Sequence, residues 1–253
     1  MKNLIGCALI LTSILAGCTD KESSPPSASA PAATAIDPAT VGELTGTIRF
    51  AGAKPSPQRI LMDQDPACLA RHGGRAVFAE DGAVNSNGTL ANAFVYVKAG
   101  AEKYTFAPPA DPAVLDQQGC MYKPHVVGVM VGQILKIVSS DDTTHNIHPM
   151  PKNNRDWNMA QAPGAAPIEQ RFPHAEIMIP VKCNQHPWMR AWVGVTANPF
   201  FAVSASDGTF TIKGLPPGDY TIGAWTATFG TQEQKVTVGA KESKTVDFKF
   251  KAS

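Results

Sequence analysis

Charge is scarce in this sequence and neither sign prevails. Charged residues make up 17% of the 253, and 22 basic against 21 acidic residues leave a formal charge of +1. Nucleic-acid binding usually shows as a basic face, so nucleic acid is not an expected partner. No Cys-x-x-Cys-His run occurs, and covalent haem attachment through that motif is excluded. No nucleophile stands in a recognisable pattern with a base, so the chain is not expected to be an enzyme. Beyond the N-terminus no segment carries a long amphipathic helical period, which argues against a helical bundle. The first apolar run, Leu4 to Leu15, is too short for a bilayer-spanning helix of about 20 residues.

What is present begins with that run. Lys2 precedes it, and it ends in Leu15-Ala16-Gly17-Cys18, which resembles a bacterial lipobox. The resemblance implies a signal peptide over residues 1–17 and a lipid on Cys18. Residues 18–41 are rich in Ser, Pro and Ala and nearly devoid of large apolar side chains. Such a stretch buries too little surface to offset its ordering entropy and reads as a flexible linker. The expected location is extracytoplasmic, lipid-anchored to a bacterial membrane on its periplasmic side or at the cell surface. Of five cysteines, Cys7 leaves with the leader and Cys18 takes the lipid, so Cys68, Cys120 and Cys183 remain. Three thiols in an oxidising compartment leave one over. Cys183 has His and Met beside it, so Cys68 and Cys120 are expected to pair.

The body of the chain reads as strands. Gly42–Gly52, Asn92–Gly100, Val126–Asp141, Met189–Ala197, Gly208–Gly214, Asp219–Ala227, Glu233–Ala240 and Lys244–Phe250 are rich in β-branched or aromatic residues. Many alternate with period two, and Gly, Pro, Asn and Asp punctuate them. The expected fold class is all-β, sandwich-like, in two modules.

Chemistry concentrates in Val181–Arg190, VKCNQHPWMR, where Cys183, His186 and Met189 follow one another at intervals of three. A redox-active copper takes two imidazoles and a thiolate in a plane, with a weak axial thioether. A second histidine should therefore stand upstream, and SSDDTTHNIHPMP supplies His145 and His148 just after a strand pattern. The run from Met121 to His148 resembles the first half of the cupredoxins, with an Asp and a His-Asn pair after the second strand. CNQHPWM resembles the ligand loop of amicyanin-type cupredoxins, and the likeness spans about Asp111 to Ala197. That resemblance implies one type 1 copper held by His145, Cys183, His186 and Met189. It also implies that Asn146 ties the two ligand loops together. His148 is not a ligand by the same likeness, and the long insert Lys152–Phe172 departs from the family pattern. His72, His125 and His174 have no ligand spacing and are read as solvated surface residues. Zinc would prefer more thiolates or imidazoles and rarely takes Met.

A second likeness lies downstream. DGTFTIKGLPPGDYTIGAW, Asp207–Trp225, resembles the carboxypeptidase regulatory-like, transthyretin-like β-sandwich. Pro199–Ser253 supplies too few strands for such a sandwich alone. The expected division is therefore residues 42–110 with 198–253 as that sandwich and 111–197 as an inserted cupredoxin domain, with two domains in simple tandem as the alternative. The function implied is a membrane-anchored carrier of single electrons between redox-protein partners, with electrons passing the exposed edge of His186 beside Pro187 and Trp188. Two other readings stay open at this point: copper binding for resistance or delivery, and a structural or glycan-binding surface module with a vestigial site.

Overall fold

The computed structural model describes residues 34–252. The leader, Cys18 and the first part of the linker lie outside the described residues. In chain order the elements are β1 (Gly42–Ala51), β2 (Arg59–Ile60), α1 (Pro66–Arg71), β3 (Val77–Phe78) and β4 (Phe94–Ala99). There follow β5 (Ala113–Gln117), β6 (Tyr122–Lys123), β7 (Val126–Met130), β8 (Leu135–Ser139) and β9 (His145–Pro149). Next come β10 (Met159–Gln161), β11 (Ile168–Gln170), β12 (Glu176–Lys182), β13 (Arg190–Thr196) and β14 (Phe201–Val203). The chain closes with β15 (Thr209–Leu215), β16 (Gly218–Thr226), β17 (Gly230–Val238), β18 (Ser243–Thr245) and β19 (Phe248–Lys251). The protein is nearly all β.

Apart from β2 and β3, which pair as a two-stranded ribbon, the strands form two pairs of sheets, each pair around its own core. One pair joins β15-β1-β18, with β19 also on β1, to β14-β4-β16-β17. Alternate residues of these strands, among them Leu44, Ile48, Val95, Val97, Phe210, Ile212, Ile222 and Phe248, share one buried cluster. Thus β1 and β4, from before residue 100, pair with strands from after residue 200. The other pair joins β10-β9-β12-β13-β7 to β11-β8-β5-β6. Its core holds Leu115, Tyr122, Leu135, Ile137, Ile147, Ile179, Val193 and Val195.

A third buried cluster connects the two sandwiches and explains why β4 is not a half-buried strand. Val95 and Val97 face the first core, while Phe94 and Tyr96 face outward onto Val126, Met178, Trp192, Phe201 and Trp225. Both faces of β4 are therefore apolar, and FVYV reads as a continuous run. Phe94 lies so close to β13 that a Cβ added at Gly194 would stand 2.5 Å from its ring, a separation that only a glycine avoids.

One sequence expectation changes here. Residues 42–110 were all expected in the first sandwich, yet Met62 and Cys68 are buried in the second core, with Ile60 and Val77 packed against it. The excursion between β1 and β4 thus lies over the neighbouring module, held there by the disulfide Cys68–Cys120. It also carries a short helix that no periodicity announced. Pro66 opens α1, Asp65 caps it by accepting from the Cys68 N–H at 3.0 Å, and Cys68 is its buried residue. No helix of the described residues is long and apolar enough to cross a membrane.

Candidate metal centre

The ligand loop is the connection of an antiparallel hairpin. β12 and β13 pair up to Lys182↔Arg190, leaving residues 183–189 to turn back. Inside the turn the Cys183 N–H donates to the Met189 carbonyl at 3.2 Å and the Met189 N–H to the His186 carbonyl at 2.9 Å. Beside it runs β9, paired with β12 at Lys182↔His148, and β9 begins with His145. Asn146 joins the two stretches: its Oδ1 accepts from the Asn184 N–H at 2.7 Å, and its own N–H donates to Cys183 Sγ at 3.5 Å. Tyr122, from β6, donates its hydroxyl to the Asn146 carbonyl and holds that strand from below.

His145, Cys183 and His186 converge. One ligand atom from each lies within 4.8 Å of the others, and all three residues are buried. The two Nδ1 atoms are 2.9 Å apart, and Cys183 Sγ is 3.7 Å from His186 Nδ1. Met189 is fully buried in the same core as Cys183. His148 does not join them; it stands on the outer part of β9, with Nε2 3.1 Å from Asp156.

The outward nitrogens decide the chemistry. His145 Nε2 meets Asp141 Oδ2 at 2.9 Å, and His186 Nε2 meets Asp65 Oδ2 at 2.9 Å. Hydrogen bonding to the Cys68 N–H and to His186 holds the Asp65 carboxyl below its usual range. Burial pushes Asp141 upward, but hydrogen bonds from His145, Cys120 and Gly119 outweigh it and bring it below its usual range. Both carboxylates are therefore ionised and can only accept. Each imidazole must carry its proton on Nε2, which frees Nδ1 to point inward as a lone-pair donor once the site is deprotonated.

The metal-free cluster is already polarised. Burial opposes the Cys183 thiolate, yet the hydrogen bond from His145 and the N–H groups of Asn146, His186 and Gln185 prevail and draw its pKa down to about 6. Burial also opposes a charged His145, but Asp141 and Cys183 hold its proton and raise it to about 9. A soft thiolate and two Nδ1 donors face one point.

Two sequence readings need correction. His186 was expected to present an exposed edge, but it is 4% exposed, with Asp65 and helix α1 over its outer nitrogen. His125 was read as a surface residue; it is 5% exposed, 2.6 Å from Asp81 Oδ1. Trp188 is half-buried: its Nε1–H donates to the Cys120 carbonyl at 3.1 Å, and its ring lies 5.2 Å from His186. It borders a cleft of about 370 Å³ that Pro187, Ile60 and Leu61 also line. Cys68 and Cys120 are bridged, and among the described residues Cys183 is the cysteine left free. Sequence reasoning missed Asp65 and Asp141. Asp141 sits four residues before His145, where an acceptor search along the motif would have found it; Asp65 is 121 residues from its partner, and no local signal marks it.

Downstream of the ligand loop, the Pro216-Pro217-Gly218 corner leads into β16, where buried Tyr220 donates its hydroxyl back to the Pro216 carbonyl at 2.6 Å. Residues 187–251 match the carboxypeptidase regulatory-like domain. The regulatory-like match takes in the end of the ligand loop and β13, whose partners are β12 and β7, as well as β14 to β19. Among solved structures, a purple cupredoxin from Nitrosopumilus maritimus is similar at 21% identity over 33% of this chain and 99% of its own, with a TM-score of 0.29. Amicyanin from Paracoccus versutus is similar at 21% identity over 40% of this chain and 96% of its own, TM-score 0.28. A copper-containing nitrite reductase from Thermus scotoductus is similar at 17% identity over 41% of this chain and 25% of its own, TM-score 0.32. No curated protein matches the sequence.

Proposed function

We propose that this chain is a lipid-anchored extracytoplasmic protein that holds one type 1 copper ion and carries single electrons between redox-protein partners. The observation that carries the reading is the convergence of His145 Nδ1, His186 Nδ1 and Cys183 Sγ while both Nε2 atoms are engaged by carboxylates. Two imidazoles and one thiolate, with a buried Met189 at the end of the same loop, fit copper better than zinc or a hard cation. Bound there, copper supplies a one-electron couple between Cu(I) and Cu(II).

The chain's own residues prepare that exchange. Cys183, with its pKa drawn down to about 6, presents a thiolate near neutral pH. Asp141 and Asp65 hold the protons on Nε2 and fix the ring planes. Asn146 and Tyr122 tie the strand of one ligand to the loop of the others, so the donors have little freedom to rearrange between oxidation states. With the outer edge of His186 closed, Trp188 is the aromatic group that links it to an open cleft. The lipobox-like Leu15–Cys18 supports the anchor.

The test is an absorption titration of the reduced metal-free protein with Cu(II). A thiolate-to-copper charge-transfer band near ~600 nm is expected, and Cys183→Ser removes it while the far-ultraviolet dichroism stays. Colour retained in Cys183→Ser would refute the ligand assignment.

A further inference from the structure

The excursion between β1 and β4 crosses from one sandwich to lie over the ligand loop of the other, and Asp65 is its point of contact with His186. The Asp65 carboxylate is divided between two tasks. Oδ1 accepts the Cys68 N–H at the start of α1, and Oδ2 faces His186 Nε2 at 2.9 Å. Cys68 is bonded to Cys120, and the Cys120 N–H donates to Asp141 Oδ2, the carboxylate that holds His145. Arg71, in the last turn of α1, reaches Asp141 and Asp142 from the other end of the helix. The helix is thus fastened at its buried cysteine and at its last residue, and its capping residue is held over the imidazole.

We propose that Asp65 is a positioning residue and that residues 65–71 form a fixed cap, which orients His186 and closes its outer edge to solvent and to partner proteins. The inference rests on His186 being a metal ligand as proposed above. An acceptor at Nε2 keeps the proton there and Nδ1 free, while its negative charge strengthens the imidazole as a donor and favours the oxidised metal. A cap fastened by a buried disulfide does not need to move for electrons to pass, because Trp188 flanks the same imidazole on another side.

Two variants separate the tasks. Asp65→Ala removes the acceptor and opens a gap over Nε2. Asp65→Asn keeps size and shape but sets an N–H₂ group against either the Cys68 N–H or the His186 Nε2–H, and removes the charge. The first readout needs no copper: diethyl pyrocarbonate labelling of each histidine in the metal-free full chain, mapped by peptide mass. His186 in the parent protein is expected to react at least about tenfold more slowly than His174, and Asp65→Ala to remove that difference. His125 stays protected in both if the fold is intact. The second readout uses the copper-loaded protein. Asp65→Asn is expected to lower copper affinity about 10- to 100-fold and raise the midpoint potential while the charge-transfer band remains. Fast labelling of His186 in the parent protein, or an unchanged potential and affinity in Asp65→Asn, overturns the proposal. A parent protein that shows slow labelling but no band keeps the cap and refutes the copper reading instead.

Discussion

Replacing Asp141 by Asn tests how much of the metal-free site is held together by one carboxylate. The Asp141 side chain is fully buried, and it accepts from the Gly119 N–H at 2.7 Å, the Cys120 N–H at 2.7 Å and His145 Nε2–H at 2.9 Å. Asparagine has the same shape, but one oxygen becomes an N–H₂ donor. Turned one way, that group faces Gly119; turned the other, it faces both Cys120 and His145. Either orientation leaves a buried N–H against another N–H, at about 1–3 kcal/mol, and removes the charge that strengthened the bonds that survive. The charged His145, raised to about 9 by Asp141 and Cys183 against the opposing effect of burial, also loses its main support. Breaking a buried ionic pair from one side typically costs about 3–5 kcal/mol, and deprotonation of His145 relieves part of it, so a loss of about 3 kcal/mol is expected. Urea unfolding of the metal-free protein with its disulfide intact, near neutral pH, measures it as a shift in midpoint at unchanged slope. Asp142→Asn is the control, because that neighbour's side chain is 78% exposed and meets only Arg71; its midpoint should barely move. A loss below about 1 kcal/mol for Asp141→Asn, or equal shifts for the two variants, would refute the reasoning.

Other consequences follow from separate parts of the molecule. The Cys68–Cys120 bridge spans 52 residues of sequence, so Cys68→Ala/Cys120→Ala should lose roughly 4 kcal/mol in the chain-entropy account. Its urea midpoint reads this, and a variant as stable as the parent would show that the bridge adds nothing. Glu176 accepts from the Lys152 and Asn153 N–H groups and from Asn154 Nδ2. Although burial pushes its pKa up, these bonds outweigh it and hold the carboxyl below its ordinary 4.5. A depressed carboxylate stabilises the fold above its unfolded pKa, and that contribution is lost as pH falls. Glu176→Gln should therefore show a smaller drop in Tm between about pH 6 and about pH 3.5 than the parent, and equal drops would contradict this.

Local pattern was enough to read the strands and the ligand loop. Period-two alternation records which side of a strand is buried, so β1, β15 and β16 were legible from their own residues. The spacing of Cys183, His186 and Met189 was legible for a related reason: one short hairpin turn sets their separation, and no distant residue is needed to bring them close. Cys68 and Cys120 could be paired because Cys183, with His186 and Met189 in the same short loop, reads as a ligand instead.

The rest depended on surfaces meeting. β4 looks like a single apolar run because two sandwiches cover it, one on each face, and nothing within FVYV says which residues face which. Val246 and Asp247 break what read as one strand into β18 and β19, both of which run parallel beside β1. The excursion between β1 and β4 has its own sequence but borrows its fold, since α1 buries only Cys68 and stands through its bridge to another module. For the same reason the openness of His186 could not be read from CNQHPWM. A loop's residues state which donors it offers, while the carboxylate that covers one of them comes from 121 residues away and is placed only by the packing of the two sandwiches.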